Sequence, residues 1–194
     1  MPHIHTQPDQ HDMTVSAWII RKVKDDWQCL VHFHKKIEKF MQIGGHIELN
    51  ETPWQSLVHE IEEESGYKLN QLKILQHSSD QLNTSLYVVH PEPFSLNTHN
   101  VNNQHYHSDL CYGFLVDDLP SASPAKGEST NLKWMNLKQL KQSSNSGDTL
   151  KDVYPIYKFL IDHFDSYALI NADSYSLEKP DVPSSTYKIG KPGF

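Results

Sequence analysis

The stretch from Gly44 to Tyr67, GGHIELNETPWQSLVHEIEEESGY, joins a glycine pair to one short helical pattern and contains six acidic residues. Its apolar side chains recur at i, i+3, i+4 and i+7, which predicts an amphipathic helix with one buried side. They are Trp54, Leu57, Val58 and Ile61. Thr52 or Glu51 can cap this helix before Pro53, and Gly66 can end it.

Four glutamates crowd the second half of this helix, although like charges on neighbouring turns repel each other. At about 100° per residue, Glu63 and Glu64 lie one turn beyond Glu60 and on either side of it. Glu62 points to the opposite flank. A solvated acidic face explains such a run on its own, but a hard divalent cation such as Mg²⁺, which prefers oxygen ligands, would offset the repulsion of three converging carboxylates.

The rest of the chain predicts a mixed sheet with helices, hence an α/β or α+β fold. The predicted strands are 14–22, 27–35, 72–76, 85–89, 110–116 and 132–135, and a short segment at 40–42 precedes the glycine pair. Helices are predicted at 137–142 and within 149–164, where Pro155 either kinks the helix or marks its first turn. The polar residues 91–106 predict a loop over a site.

Length and composition indicate one soluble domain, residues 1–165, followed by an extension, 166–194, that shows no clear period. The net charge of -7 argues against binding a nucleic-acid polymer through a broad basic face. Cys29 and Cys111 lie in strand-like apolar runs, as expected of reduced core residues. With no stretch long enough to span a membrane, the expected location is the cytoplasm.

The fixed residues of the opening stretch resemble the Nudix box. The family pattern is Gly, five residues, Glu, seven residues, Arg-Glu, an aliphatic residue, one residue, Glu-Glu, one residue, Gly and an apolar residue. The matching positions here are Gly45, Glu51, His59-Glu60, Ile61, Glu63-Glu64, Gly66 and Tyr67. Every fixed position agrees except the arginine, which is His59. The resemblance extends weakly over 14–164, including Gly127-Glu128 before Trp134.

The resemblance implies an α/β/α sandwich with a mixed β-sheet, and hydrolysis of a nucleoside diphosphate linked to another group. In the family the box holds divalent metal, Mg²⁺ or Mn²⁺, against a diphosphate. By resemblance Glu60, Glu63, Glu64 and the Gly45 carbonyl would hold that metal. The general base stays open between Glu128, Glu60 and Glu63. Gly44, Glu51, His59 and Gly66 would be structural positions of the box.

His59 is the main departure from the family pattern. The family's arginine resembles a residue that orients the box carboxylates by ion pairing, and a histidine carries charge only when it is protonated. We therefore expect activity that is lowered rather than abolished, with an unusual pH dependence.

The sequence contains thirteen histidines. His105, His107 and Asp109 alternate, so on an extended segment their side chains share one face. Such a set could ligate a transition metal or hold a substrate phosphate, whereas a polar edge strand with solvated imidazoles needs neither. Lys35, Lys36 and Arg21, the only arginine, are further candidates for phosphate contacts.

Two other functions stay open at this point. An enzyme resembling isopentenyl-diphosphate isomerase would also use histidines and acidic residues, but neither cysteine matches the catalytic cysteine expected there. A non-catalytic nucleotide-binding or regulatory domain is the other alternative, although such a domain need not keep all three glutamates. The expected partner is a small nucleoside diphosphate derivative, and a homodimer is a further expectation.

Overall fold

The computed structural model describes residues 6–80, 82, 84, 87–101 and 105–179 of the 194-residue chain. Within these ranges the chain forms nine strands and three α-helices. The strands are β1 (His11–Val23), β2 (Asp26–His34), β3 (Lys39–Met41), β4 (Ile43–His46), β5 (Lys73–Gln76), β6 (Ser95–Val101), β7 (His105–Leu115), β8 (Leu132–Asn136) and β9 (Ala168–Asn171). The helices are α1 (Pro53–Ser65), α2 (Leu137–Ser146) and α3 (Val153–Asp162).

All nine strands belong to one mixed sheet with β1 near its centre. The main order is β3-β2-β1-β7-β5-β9, while β4 pairs with β1, β6 with β7 and β8 with β2. The long β1 changes partner along its length, pairing with β4 from Thr14 to Ala17 and with β2 from Ile20 to Val23. The pairing of β1 with β7 is parallel and the other pairings are antiparallel.

Each face of the sheet is covered by helices, as the two-residue period of the strands requires. Val15, Ala17 and Ile19 of β1 pack in the core that includes the apolar side of α1. Trp18 and Ile20, on the other face, pack in the core that includes apolar residues of α2 and α3. The predicted α/β/α sandwich with a mixed sheet is confirmed.

The prediction of a loop at 91–106 is wrong, because Ser95–Val101 forms β6, which pairs antiparallel with β7. Its polar composition is that of an exposed edge strand, in which Thr98 and Ser108 hydrogen bond across the pair at 3.1 Å. The predicted strand at 85–89 falls partly outside the described residues, and no strand forms at 87–89.

The two C-terminal helices agree with their predicted positions. α2 runs beyond 142 to Ser146, and α3 begins at Val153. Pro155 therefore lies in the first turn of α3, where a missing backbone N–H breaks no helical hydrogen bond.

The chain after residue 165 adds to the same sheet. β9 pairs antiparallel with β5, and Ala172 and Tyr175 are buried in the core beside α1. The division into a domain at 1–165 and an extension stays a prediction, and residues 180–194 lie outside the described part. Among the described helices, none has the length and apolar character needed to cross a membrane.

Candidate active site

The helix α1 is fixed at both ends by its own sequence. At the start, the Thr52 side chain accepts a hydrogen bond from the Gln55 backbone N–H, and the Gln55 side chain accepts one from the Thr52 N–H. At the end, Gly66 adopts the left-handed conformation and its N–H bonds to the Glu62 carbonyl. These caps set the rotation and length of the helix, and so the direction of its glutamates.

The glycine pair in β4 lies directly against two of these glutamates. A Cβ atom added at Gly45 would overlap the Glu60 carboxylate, so only glycine allows this approach. The Gly44 backbone N–H donates a hydrogen bond to Glu64 Oε2 at 3.0 Å. The box glycines thus hold the Glu60 and Glu64 carboxylates beside the backbone of β4.

Glu60 and Glu64 are buried, with exposed fractions of 8% and 6%. Burial raises the pKa of Glu60 to about 7; the charge of His59 opposes the rise, and the nearby carboxylates add to it. Burial likewise raises the pKa of Glu64 to about 9, despite the Gly44 hydrogen bond. In the absence of a cation, both carboxyls therefore hold their protons more strongly than usual.

His32 on β2 lies next to Glu64, a contact that the sequence does not predict. Its Nδ1 lies 3.5 Å from Glu64 Oε1, and neither ring nitrogen has a hydrogen-bond partner within the described ranges. Burial, followed by the charge of His34, lowers the pKa of His32 to about 4, so the ring is neutral at pH 7. The signal in the sequence was the alternation that places His32 on the same face as core residue Leu30.

Glu63 and Glu51 are joined by the residue that replaces the family's arginine. His59 Nε2 lies 3.1 Å from Glu63 Oε1, and His59 Nδ1 lies 3.2 Å from Glu51 Oε1. Burial lowers the pKa of His59, but the hydrogen bonds and charges of Glu63 and Glu51 outweigh it, and the pKa is raised overall. Only the imidazolium form can donate to both carboxylates at once.

Glu128 lies on a loop that three hydrogen bonds tie to this region. The Ala125 N–H donates to the Glu63 carbonyl at 2.7 Å, and Lys35 Nζ donates to the carbonyls of Gly127 and Glu128 at 2.6 and 2.9 Å. The charge of Glu128 raises the pKa of both Glu60 and Glu64, which places its carboxylate within electrostatic range of them. Lys36, next to Lys35, is exposed.

The donor set fits a divalent cation. The buried Glu60 and Glu64 and the partly exposed Glu63 and Glu128 offer only carboxylate oxygen atoms, the ligands that Mg²⁺ and Mn²⁺ prefer. Burying several carboxylates together is costly unless positive charge accompanies them. The raised pKa values of Glu60 and Glu64 are the sign of that cost in the protein without its cation.

Arg21 is not brought together with these carboxylates. It lies six positions beyond Val15, the partner of Gly45 in the sheet, which corresponds to roughly 20 Å of extended strand. Its Nε donates to Gln28 at 2.8 Å, and its guanidinium lies 4.1 Å from the ring centre of Trp134.

The predicted set of His105, His107 and Asp109 lies on the other face of the sheet and divides in two. His105 and His107 contact each other, with their Nε2 atoms 3.2 Å apart. Asp109 instead accepts hydrogen bonds from the Thr14 hydroxyl at 2.9 Å and the Cys111 thiol at 3.1 Å. Asp12 and His46 join the two histidines, and nothing in their local sequence indicated this.

Neither cysteine is placed to act as a nucleophile. Cys29 and Cys111 are 0% and 1% exposed, and burial raises the pKa of both thiols. The expectation that they are core residues is therefore confirmed. An isomerase mechanism that requires a reactive thiolate finds none at these two positions.

Comparison with known proteins gives the family that the box resembles. A NUDIX domain family model matches residues 10–155. A NUDIX-family hydrolase from Clostridium perfringens aligns with a TM-score of 0.61 and 27% identity, covering 79% of this chain and 97% of that one. No curated protein sequence matches the chain significantly.

Two more distant structures share the fold alone. One is a C. elegans Ap4A hydrolase, with a TM-score of 0.54, 14% identity, and coverage of 81% of this chain and 98% of that one. The other is the NUDIX domain of Shewanella oneidensis NrtR complexed with ADP ribose, with a TM-score of 0.54, 14% identity, and coverage of 80% and 90%.

The family match spans most of the chain, and the box geometry described above lies inside it. The chain belongs to the Nudix family and is an enzyme of the Nudix pyrophosphohydrolase class.

Proposed function

We propose that this enzyme uses Mg²⁺ or Mn²⁺ to hydrolyse the diphosphate bond of a nucleoside diphosphate linked to another group. The observation that carries the proposal is the burial of the Glu60 and Glu64 carboxylates against the Gly44-Gly45 backbone. We assign the metal to Glu60, Glu63, Glu64 and the Gly45 carbonyl. When bound, the divalent ion supplies the positive charge that a diphosphate needs to accept a nucleophile, and it acidifies water.

The chain's own groups would position the substrate and take the proton. Glu128, half-buried on a loop held by Lys35, is one candidate for the general base. Glu60 is another, because a pKa of about 7 suits proton transfer near neutral pH, and Glu63 is a third, because it is the most exposed of the box carboxylates that we assign to the metal. The choice among the three stays open.

Positive side chains near the carboxylates would contact the phosphates. Lys35 and Lys36 directly follow β2, and Lys35 bonds to the loop of Glu128; we assign both lysines this role. Phosphate contacts from four other residues remain predictions: Arg21, His105, His107 and Asp109. Arg21 lies farther along β1 than the partner of Gly45, and the other three lie on the face of the sheet opposite the box carboxylates.

The substrate class is tested with a panel. Nucleoside diphosphate sugars, ADP-ribose, dinucleoside polyphosphates, and normal and oxidised nucleoside triphosphates are assayed for bond cleavage with Mg²⁺ and with Mn²⁺. One structural relative is a domain complexed with ADP ribose, which supports including ADP-ribose. Another is an Ap4A hydrolase, which supports including dinucleoside polyphosphates. We expect turnover of at least one compound, and none in the presence of a chelator.

A matched pair of variants ties any turnover to the proposed site. Glu64→Gln should lower kcat by about 10³-fold, because it removes a charge that holds the cation in the transition state. Glu62→Gln is the control, since Glu62 lies on the other flank and pairs with Lys68 at 2.6 Å. Binding without turnover in the wild type would favour a regulatory domain. Isomerisation of isopentenyl diphosphate would favour the isomerase.

The remaining expectations concern the protein's setting. A cytoplasmic location, a homodimer and the absence of nucleic-acid polymer binding stay predictions. Size-exclusion chromatography with light scattering measures the oligomeric state directly.

A further inference from the structure

A second group of metal-type ligands lies outside the box, where three strands of the sheet come together. It consists of Asp12 on β1, His46 on β4, and His105 and His107 on β7, and we call it the histidine cluster. One ligand atom each from Asp12, His105 and His107 falls within 4.8 Å of the others. His46 joins this group through Asp12 and through its ring, whose centre lies 4.9 Å from that of His107.

The strand register explains why these residues meet. Asp12 is the direct neighbour of His107 in the parallel pair β1 and β7, and His105 lies two residues before His107 on the same face. His46 pairs with Thr14, which is two residues after Asp12 and therefore also on that face. Four side chains from three strands thus project together from one small area of the sheet.

The histidine cluster lies on the opposite face from the box carboxylates. Gly45, which contacts Glu60, pairs with Val15, and Val15 packs in the core of α1. His46 and Thr14 are each one residue away, so their side chains point to the other face. The two sets of ligands cannot share one ion through the sheet.

The spacing of the atoms matches a small transition metal. Four ligands at about 2.0–2.1 Å around a tetrahedral Zn²⁺ lie about 3.4 Å from one another. His105 Nε2 lies 3.2 Å from His107 Nε2 and 3.7 Å from Asp12 Oδ2, and His46 Nε2 lies 3.8 Å from the same Asp12 oxygen. His46 lies just outside the group of three residues whose atoms fall within 4.8 Å of one another, so its ring would have to turn toward the ion to complete the set.

The chemical type of the ligands favours Zn²⁺ over Mg²⁺. Three imidazoles and one carboxylate are borderline ligands that suit Zn²⁺, whereas Mg²⁺ prefers oxygen atoms alone. His105 and Asp12 are themselves largely buried, with side-chain exposures of 7% and 11%.

We propose that Asp12, His46, His105 and His107 bind one Zn²⁺ ion in a closed, structural site that joins β1, β4 and β7. Four protein ligands leave no open position for a substrate, which is the pattern of structural rather than catalytic zinc. Because His46 directly follows Gly45, this ion also steadies the strand that carries the box glycines. The site is separate from the proposed magnesium site and does not depend on it.

The test starts from the full-length chain, stripped with a chelator and dialysed. Zn²⁺ is added, the excess is removed, and bound zinc is measured by plasma mass spectrometry. Binding is followed by calorimetry in the presence of excess Mg²⁺, which occupies the box. We expect one tightly bound Zn²⁺ per chain and a rise in Tm on adding zinc, since a ligand that binds the folded state stabilises it.

Matched histidine variants locate that ion. His46→Asn should weaken zinc binding by at least about 100-fold, while His11→Asn, an exposed histidine on β1 outside the cluster, should leave it unchanged. A double variant, His3→Asn with His5→Asn, controls for zinc held by the N-terminal histidines of the sequence. Glu64→Gln should keep zinc binding and lose Mg²⁺-dependent turnover, so that failure of the two proposals can be told apart.

A second measurement guards against a variant that does not fold. Co²⁺ replacing Zn²⁺ in the wild type should give the strong visible absorption of a tetrahedral site, and Asp12→Asn should abolish or shift it. No bound zinc in the wild type, loss of zinc only in His3→Asn/His5→Asn, or an octahedral Co²⁺ spectrum would each overturn the proposal.

Discussion

The two faces of the sheet at the start of β1 carry opposite kinds of site, although the residues involved are chain neighbours. On one face, Gly45 lies against the buried Glu60 carboxylate of α1. On the other, His46 lies beside Asp12 and near His107. The first site offers oxygen ligands from one helix and one strand, and the second offers mainly imidazoles from three strands.

The difference shows how local and non-local order build a site. The carboxylates converge because a helix repeats every 3.6 residues, so their spacing along the chain already fixes their geometry. The histidine cluster forms only because β1, β4 and β7 pair in one register, and a slip of one residue would send its side chains to opposite faces.

Gly45→Ala should lower kcat about 10²-fold, because the added Cβ must displace the Glu60 carboxylate and small misplacements of such groups are costly. Steady-state kinetics on the substrate found in the panel measures the effect. In a Glu60→Gln background the same change should cost little more, since its target is already altered. Wild-type kcat in Gly45→Ala would show that the close contact of Gly45 with Glu60 has no catalytic importance.

Stability should depend on pH, and Mg²⁺ should weaken that dependence. The folded-state pKa values of Glu60, about 7, and Glu64, about 9, lie above the ordinary value of 4.5, so the folded state binds more protons than the unfolded state. Without metal, the free energy of unfolding should therefore be highest below about pH 4.5 and fall as pH rises from there through 7 and 9.

Urea unfolding between about pH 5 and about pH 9, with chelator or with Mg²⁺, measures this slope. Mg²⁺ should flatten it, because the cation replaces the protons at high pH. Glu64→Gln should remove a large part of the slope in chelator, and Glu62→Gln should not. If Glu64→Gln and Glu62→Gln show the same dependence of unfolding free energy on pH, the groups responsible for it lie outside the box carboxylates.

His59→Arg should raise activity about 2- to 10-fold at alkaline pH and leave it near the wild-type value at acid pH. Protonated His59 can donate to Glu51 and Glu63 together, and this ability is lost as pH rises through its raised pKa, whereas arginine keeps its charge. The pH–rate profile is the measurement. His163→Arg, on the far α3 helix end, serves as control, and parallel profiles of His59→Arg and wild type would contradict the idea.

Lys35→Gln should raise KM about 2- to 5-fold, and Arg21→Gln should change it less. Lys35 lies beside the loop of Glu128, while Arg21 is bonded to Gln28 and stacked on Trp134. Both variants remove one positive charge, which makes them a matched pair. A larger rise in KM for Arg21→Gln would restore Arg21 as the phosphate contact.

Much of the fold was readable because its signals were local. The helix α1, its Thr52 cap and its end at Gly66 follow from a few neighbouring residues, and the structure shows each of them. β6 was missed because an exposed edge strand needs no apolar period, and so its polar sequence looked like a loop. The sequence of β9 shows no clear apolar period either. Its partner strand, β5, lies nearly a hundred residues earlier in the chain, so the pairing leaves no local signal.

The box could be read from the chain before any folding was known, because its spacing puts Glu60, Glu63 and Glu64 on one flank of a capped helix and helical geometry depends only on near neighbours. The pairing of strands in the folded sheet is what brings His32 against Glu64 and Asp109 to Thr14, and what adds Asp12 and His46 to the histidine cluster. Those contacts depend on strand register, which is set by packing across the whole sheet and leaves no mark at any single position.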